Sequence, residues 1–505
     1  MRRLVAGLIL LVLIIALEAL FSVPFLAAGT VLGIVGMLGA AVLIWLGRER
    51  LRKLLAVVTT RLERLPRGVW IGLVLLLGIA LRLLWVNLFT GPPPPESQTL
   101  TDLAAQLARG EAYRTPITQT WAVWPPGYPL LLAATFLITG ANAGSIVLLH
   151  LVLFAGTVMS TDALARRLAG DGPARLAVLL LAVWPSLVAT TGIASRELLV
   201  LFLLTTALTV WLDAAAAKPG TAAGSWLAAG FALGLATLTE PAFLLLPIAL
   251  ILHDLLAPPR PLRALAAWTL LLCGALAPLA PWIVRNDRVF HHRPILTTGG
   301  GPAFYRANNP LATGGPTGRG EKDQVNQFEL EAMTTGYRWG AEWIAANPGR
   351  FLKLALRKQV LLLGGDTDLS GPFKALANAW WWLLWLLTLL TLLTWSRPDP
   401  LPPGALLLLL TILYVWLVYS VFESGARQHV PLAGVLAVVA VLGARAQTAD
   451  RCADSAVSSA PPSPRPAPGA DDADVETFQQ FSAFAPQSRP LRAHSKPPLV
   501  QFSAF

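Results

Sequence analysis

Charged side chains are scarce in this chain. Lys, Arg, Asp and Glu make up only 13% of its 505 residues, whereas 55% of the residues are hydrophobic. A soluble domain has roughly 25% charged residues. Apolar runs of about 20 residues recur along most of the length, which is typical of transmembrane helices. We therefore predict an all-α, multi-pass membrane protein.

Cysteine is also scarce. Cys273 lies inside an apolar run and Cys452 lies near the C-terminus, so the chain has no disulfide framework and no cysteine metal motif. It contains no HExxH, no Walker loop, no CxxC and no nucleophile elbow. The sequence thus carries no signature of a zinc protease, a P-loop enzyme or a serine hydrolase, and we predict no metal ligands.

The net charge of +11 has its explanation in membrane topology. The cations lie mostly in short loops between apolar runs, where they orient the chain, so we predict no nucleic-acid partner. The loop 47–68 has seven Lys and Arg against two Glu and is expected on the cytoplasmic side. Alternation of later spans predicts cytoplasmic N- and C-termini. The outer loops would be 91–144, 194–196, 285–374 and 423–427, so the two long loops share the outer face.

About twelve spans and three regions are expected. Residues 1–68 would form an N-terminal transmembrane hairpin, beginning with an uncleaved anchor, and a basic cytoplasmic loop, and 69–446 would form the core. Residues 128–140 are short for a span and predict a juxtamembrane or partly inserted helix. The apolar segments lie near 4–20, 23–46, 69–90, 145–165, 174–193, 197–216, 223–239, 241–257, 264–284, 375–396, 404–422 and 428–446.

Two further segments have distinct compositions. The outer loop 285–374 predicts a helix near 323–348, and 349–364 is amphipathic and basic, which fits either a surface helix or the end of a span. Residues 447–505 are rich in Pro, Ser, Ala and Asp and predict a disordered cytoplasmic tail. The pentapeptide QFSAF occurs there at 480–484 and 501–505, and would be either a docking motif for a partner protein or a chance repeat.

The expected outer face carries both acids and arginines. A carboxylate there can act as a general base or hold a divalent cation, and Glu96 and Glu197 are the leading candidates. A helix-start acid stabilised by the helix dipole is the structural alternative for Glu197. Arginines at span ends suit phosphate, although interfacial snorkelling also explains them. The relevant arginines are Arg196, Arg285 and Arg427.

Four patches follow one another in a recognisable order. The first joins Glu96 to LAAQLARGEAY (103–113) and WPPGYPLLLA (124–133), and the second is ASRELLVLFLL (194–204). The third spans 280–315 and contains PWIVRN and RANNP, and the fourth is GARQHVPLAGVL (425–436). Together they resemble the GT-C superfamily of integral-membrane glycosyltransferases, particularly bacterial relatives of glycosyltransferase family 39, the protein O-mannosyltransferases, and of the aminoarabinose transferases.

This resemblance covers about 69–446 and implies a GT-C-type helical bundle whose outer loops carry juxtamembrane helices, in the bacterial cytoplasmic membrane. It implies inverting transfer of a sugar from a polyprenyl-phosphate lipid to a hydroxyl of an acceptor glycan, lipid or protein on the outer face. The family's catalytic aspartate stands about fourteen residues before a glycine, and counting back from Gly110 gives Glu96. The residues implied are Glu96 and Glu197 for catalysis, and Arg196, Arg285, Arg427, Tyr128, Asn308 and Asn309 for substrate or phosphate binding.

Three positions depart from the family pattern. Glu96 stands where Asp is usual, Trp124 where a basic residue often precedes the Pro pair, and Glu240 where a basic residue is common. Alternative functions are a ligase or polymerase of lipid-linked oligosaccharide, a flippase, or an inactive scaffold that acts through its tail. The sequence identifies neither the sugar nor the acceptor.

Overall fold

The computed structural model describes residues 54–442 and residue 50. Breaks in this description fall at 56, 90, 117, 219–220, 257–260, 293, 316–327, 364–370 and 395–402. The two spans predicted before residue 47, the tail and both QFSAF copies lie outside the described residues.

The described chain is helical, with short loops and three 3₁₀ turns. The helices are α1 Arg67–Leu88, α2 Pro95–Ala108, α3 Gly127–Thr139, α4 Ala143–Ala169, α5 Asp171–Ala182, α6 Pro185–Ala189, α7 Glu197–Ala216, α8 Ala223–Thr239, α9 Leu246–Leu256, α10 Pro261–Phe290, α11 Gly300–Ala307, α12 Glu329–Ala346, α13 Pro348–Leu363, α14 Gly371–Thr394, α15 Pro403–Val421 and α16 Ala433–Leu442. The 3₁₀ turns are Thr190–Gly192, Pro241–Phe243 and Ala426–Leu432.

The all-α fold is confirmed, and each predicted span after residue 68 coincides with a helix or helix pair. Among the described residues, five helices (α1, α4, α7, α10 and α15) are long and apolar enough to cross a membrane. A sixth span results if α5 and the following segment to Gly192, which meet at a bend of 50°, count as one. The break follows from Pro185, because proline cannot donate the hydrogen bond that would continue the helix.

The centre of the bundle consists of α4, α5, α7 and α16, which pack on one another. Their facing side chains are small or branched aliphatic residues, and those of Val178, Leu204 and Val438 are fully buried. The most extensive contact between two helices joins α8 to α10. A Cβ at Gly230 or Gly234 would meet the backbone of α10, so these glycines, four residues apart, let the two helices approach closely.

The two long loops contact each other directly. The carboxylate of Glu329, at the start of α12, accepts hydrogen bonds from the backbone nitrogens of Trp121 at 2.8 Å and Ala122 at 2.7 Å. The backbone nitrogen of Thr298 donates to the carbonyl of Ala122 at 2.9 Å. Segments from both loops therefore form one structure at the same end of the bundle.

Candidate functional site

Five charged side chains from four separate parts of the chain meet at the loop end of the bundle. Three are carboxylates and two are guanidinium groups, so the cluster has a net formal charge of one negative. Four of the five were candidates from sequence. The members are Glu96 in the first turn of α2, Arg196 and Glu197 at the start of α7, Glu240 between α8 and the turn Pro241–Phe243, and Arg427 in the turn after α15.

Arg427 links the catalytic candidates. Its Nη1 donates to Oε2 of Glu96 at 2.8 Å. Its Nη2 and Nε donate to Oε1 of Glu197 at 2.6 Å and 3.1 Å. The planar fork of arginine can serve two carboxylates at once, which the point charge of a lysine cannot do with the same geometry.

Arg196 joins the other side of the cluster. Its Nε lies 3.0 Å from Oε2 of Glu240 and its Nη2 lies 3.4 Å from Oε1 of Glu96. Burial alone would lower the pKa of Arg196, but the carboxylates of Glu240 and Glu96 raise it, and the net shift is upward. Burial raises the pKa of Glu240, and the neighbouring Arg196 offsets part of this shift. The guanidinium therefore stays charged, whereas Glu240 is the carboxylate that takes up a proton more readily than usual.

The first turn of α2 places Glu96 within hydrogen-bond distance of Arg427. Three prolines precede α2, and a fourth, Pro95, occupies a first-turn position that suits proline because its missing N–H would be unpaired there. Glu96 follows in the first turn, where the helix dipole favours a negative charge. The hydroxyl of Ser97 accepts a hydrogen bond from the backbone nitrogen of Ala194 at 2.8 Å. This bond ties α2 to the turn that carries Arg196.

Tyr128 is linked through His150 to Thr190, which lies a few residues before Arg196. Its hydroxyl lies 3.0 Å from Nε2 of His150, and Nδ1 of His150 lies 3.0 Å from the carbonyl of Thr190. Because a carbonyl can only accept, Nδ1 carries the proton and Nε2 accepts from the tyrosine. Tyr128 is 1% exposed. The structure thus places it behind the charged cluster, where it anchors the WPPGYP segment to α4.

The two oxygens of Glu96 differ in their contacts. Oε2 accepts a hydrogen bond from Arg427, whereas Oε1 is buried, lies 3.4 Å from Nη2 of Arg196 and accepts no hydrogen bond among the described residues. A carboxylate oxygen in this position can accept a proton from a hydroxyl group brought next to it. Oε2 of Glu197 likewise has no donor within the described chain, but Arg427 holds the other oxygen of that carboxylate with two bonds.

Arg285 lies apart from the cluster contacts. Its Nη1 donates to the carbonyl of Trp121 at 2.8 Å and its Nη2 to the carbonyl of Tyr113 at 3.0 Å. The guanidinium also stacks on Trp282, 4.7 Å from the ring centre. In this position it crosslinks the first long loop to α10.

Replacing Arg285 with lysine is expected to lower the stability of the protein. Lysine cannot reach both carbonyls with a rigid fork, so the loop loses part of its attachment to α10. We expect a lower unfolding temperature in detergent, from a loss of about 1 kcal/mol. Arg288→Lys is the matched control, because Arg288 is an exposed arginine on the same helix, and an equal loss of stability from Arg288→Lys would contradict the structural role of Arg285.

Asn308 and Asn309 are both buried and use their side chains on backbone groups. The amide nitrogen of Asn308 donates to the carbonyls of Phe304 and Val421, each at 2.8 Å. That of Asn309 donates to Tyr305 and Arg306, and its oxygen accepts from the nitrogen of Leu311 at 2.8 Å. Both asparagines therefore shape the end of α11, and only Asn308 reaches another helix.

Glu240 is the member of the cluster that was not among the sequence candidates. In sequence it is the acid of a Glu-Pro pair between two apolar segments, at a position where the GT-C pattern commonly has a basic residue. The signal that could have found it is the alternation of spans, which places 240 at the same end as 194–196. Among the described residues, no group of three His, Cys, Asp or Glu is arranged to hold a metal ion, and the three glutamates of the cluster face guanidinium groups.

The chain was compared with protein families, curated proteins and solved structures. The family described as dolichyl-phosphate-mannose-protein mannosyltransferase matches residues 123–284. No curated protein matches the chain. The oligosaccharyltransferase of Archaeoglobus fulgidus in its apo form aligns with a TM-score of 0.51 at 13% identity, over 77% of this chain and 52% of that one. The chain has the GT-C fold. The resemblance predicted from the sequence is thereby confirmed.

Two further solved structures align with this chain. The same archaeal enzyme in complex with Zn and sulfate aligns at TM-score 0.50 and 14% identity, over 77% of this chain and 50% of that chain. ArnT from Cupriavidus metallidurans bound to undecaprenyl phosphate aligns at TM-score 0.36 and 13% identity, over 76% and 79%. The chain spans about half the length of the archaeal enzyme.

Proposed function

We propose that this chain is an inverting membrane glycosyltransferase that moves a sugar from a polyprenyl-phosphate donor to an acceptor hydroxyl on the outer face of the membrane. The observation that carries the proposal is the arrangement around Glu96, a carboxylate that lies between two guanidinium groups and has one buried oxygen that accepts no hydrogen bond among the described residues. The matched family segment, 123–284, supports the class of donor, because its description names a dolichyl-phosphate sugar. That segment contains Arg196, Glu197 and Glu240.

The two arginines suit the phosphate of such a donor. Guanidinium groups bind phosphate oxygens bidentately, and Arg196 and Arg427 stand on either side of Glu96. A bound phosphodiester would take over donors that now serve Glu240 and Glu197. Because the lipid chain of the donor is apolar, it would remain among the apolar helices while its head group occupies the cluster.

The proposed reaction needs one base and one leaving group. Oε1 of Glu96 accepts the proton of the acceptor hydroxyl, and the resulting oxygen nucleophile attacks the anomeric carbon from the side opposite the phosphate. The new C–O bond forms as the bond between the anomeric carbon and the phosphate oxygen breaks, and polyprenyl phosphate leaves with the electron pair. Arg196 and Arg427 would stabilise the negative charge that grows on the phosphate. Attack from the opposite side inverts the anomeric centre.

The proposal also covers the acceptor, the membrane and the terminal regions of the chain. The acceptor is a glycan, lipid or protein with a free hydroxyl. The membrane is the bacterial cytoplasmic membrane, with both termini on its cytoplasmic side, an N-terminal hairpin in 1–68 and a tail from 447 onward that could dock a partner through QFSAF. Because 1–49 and 443–505 lie outside the described residues, these features rest on the sequence.

Deleting the gene tests donor and acceptor together. We expect a single-sugar polyprenyl phosphate to accumulate, with a matching loss of that sugar from one envelope glycan, lipid or protein, when membrane lipids and surface glycans are profiled by mass spectrometry. Complementation with the Glu96→Gln variant should leave the lipid elevated, whereas the unchanged gene should restore it. Accumulation of an oligosaccharide on polyprenyl diphosphate would instead support a ligase or exporter and overturn the proposal.

A further inference from the structure

A buried lysine lies next to the segment that carries Arg427. Lys358, on α13, has a side chain that is 0% exposed. Lysine is almost never fully buried unless its ammonium group is paired. Burial lowers the pKa of Lys358 to about 8, with Glu423 opposing the shift. The group is therefore mostly protonated near neutral pH and needs an acceptor for each of its three hydrogens.

Three acceptors surround this ammonium group. Nζ of Lys358 lies 3.1 Å from Oδ1 of Asn308, 3.2 Å from the carbonyl of Ser420 and 3.1 Å from the carbonyl of Val421. The carbonyls of Ser420 and Val421 belong to the last turn of α15, where carbonyls have no hydrogen-bond partners within their own helix. A cation at the C-terminus of a helix is also favoured by the helix dipole. Lys358 thus acts as a cap supplied by another helix.

Neighbouring contacts strengthen the same junction. Nδ2 of Asn308 donates to the carbonyl of Val421 at 2.8 Å, so that carbonyl receives two donors. Gln359, next to Lys358, donates to the hydroxyl of Ser420 at 2.7 Å. The backbone nitrogen of Ser424 donates to the carbonyl of Gly314 at 2.9 Å. All of these partners belong to the second long loop, and all of them hold 420–424.

The held segment leads directly into the charged cluster. Helix α15 ends at Val421, and the turn Ala426–Leu432 follows after only four residues. Arg427 is the second residue of that turn and donates to Glu96 and Glu197. The position of its guanidinium group therefore depends on where the end of α15 is held.

We propose that Lys358 and Asn308 are positioning residues that act through Arg427, by clamping the end of α15 to the second outer loop. The clamp consists of Lys358, Asn308 and the carbonyls of Ser420 and Val421. This proposal rests in part on the proposed function, because the position of Arg427 matters for transfer only if Arg427 binds the donor phosphate. The clamp itself is a physical contact and can be tested without any sugar transfer.

The test uses a thiol as a position reporter in the full-length protein. Cys273 and Cys452 are replaced by alanine, and Gln428→Cys places one half-buried thiol next to Arg427 without removing its ion pairs. The rate of reaction with a polar thiol reagent is compared in the parent, Lys358→Met and Lys353→Met. Lys353 is the matched control, because it is an exposed lysine on the same helix.

We expect Lys358→Met to raise the labelling rate at 428 by about tenfold, as the loss of charged hydrogen bonds would do, and Lys353→Met to leave it unchanged. A second reporter, Gln106→Cys on α2, separates a local effect from a general loosening and should not respond. If Lys358→Met does not fold, Asn308→Ala removes one arm of the clamp and should give a smaller increase. An unchanged rate at 428, or equal increases at 428 and 106, would overturn the proposal.

Transfer activity is measured on the same proteins. Should the parent transfer no sugar while labelling at 428 responds as expected, the proposed function fails and the clamp stands. Should the parent transfer sugar while labelling does not respond, the clamp fails and the function stands.

Discussion

Replacing Glu96 with glutamine is expected to lower the rate of sugar transfer by about 10²–10⁴-fold, which is the usual contribution of a general base. Glutamine retains the size of the side chain and can still accept from Arg427, but it cannot take up the proton of an acceptor hydroxyl. The measurement is transfer from a radiolabelled or fluorescent polyprenyl-phosphate sugar in detergent or liposomes. The thermal unfolding of the variant should stay close to that of the parent.

Glu111→Gln is the matched control for this variant. Glu111 belongs to the same outer loop but is half exposed, and among the described residues its ion pair is with Arg109, which is also exposed. Its carboxylate is therefore a solvated loop charge and not a member of the charged cluster around Glu96. We expect full activity from Glu111→Gln and partial activity from Glu96→Asp, and transfer at the parent rate by Glu96→Gln would rule out Glu96 as the base.

Replacing Arg427 with alanine is expected to reduce stability and transfer together. The change leaves the carboxylates of Glu96 and Glu197 without their shared partner. Removing one member of a buried ion pair costs about 3–5 kcal/mol. Because the Arg427 side chain is 38% exposed, solvent screens part of this interaction, and we expect a loss of about 2–3 kcal/mol. Chemical or thermal unfolding in detergent measures it, and transfer should fall below detection because, in the proposed reaction, the donor phosphate would lose one of its two guanidinium partners.

The ion pair of Arg306 with Glu423 is the comparison for Arg427. Arg306 lies 3.4 Å from Glu423 and its side chain is 45% exposed, so Arg306→Ala should cost less than about 1 kcal/mol. The double variant Glu197→Gln with Arg427→Met removes charge from both sides and should recover part of the stability but none of the activity. If Arg427→Ala were as stable as Arg306→Ala and transferred sugar normally, the cluster around Glu96 would have no role.

The fold was largely determined by local properties of the sequence. Hydrophobic length predicts the apolar helices, and the predicted span 197–216 matches α7 at both ends. Helix start signals are local too, since a proline run followed by an acid marks the beginning of α2. Loop charge predicted which segments share a face, and Glu96, Arg196, Glu197 and Arg427 do meet.

The pairing of those residues was decided by the tertiary structure. Arg427 donates to partners that lie 331 and 230 residues earlier in the chain, and no periodic pattern encodes such a choice. Glu240 joins the cluster because it directly follows α8, which packs against α7, the helix that begins at Glu197.

The sequence gives the least information about the partners of an arginine or lysine that bonds to backbone carbonyls, because every residue has a carbonyl. Arg285 was expected at a phosphate, and the structure places it on the carbonyls of Trp121 and Tyr113. Lys358 belonged to a basic amphipathic segment, and the structure buries it on the last turn of α15. Composition and spacing therefore determined the apolar helices and which loops lie at the same end of the bundle. Only the three-dimensional packing determined which charges touch one another and which hold the backbone.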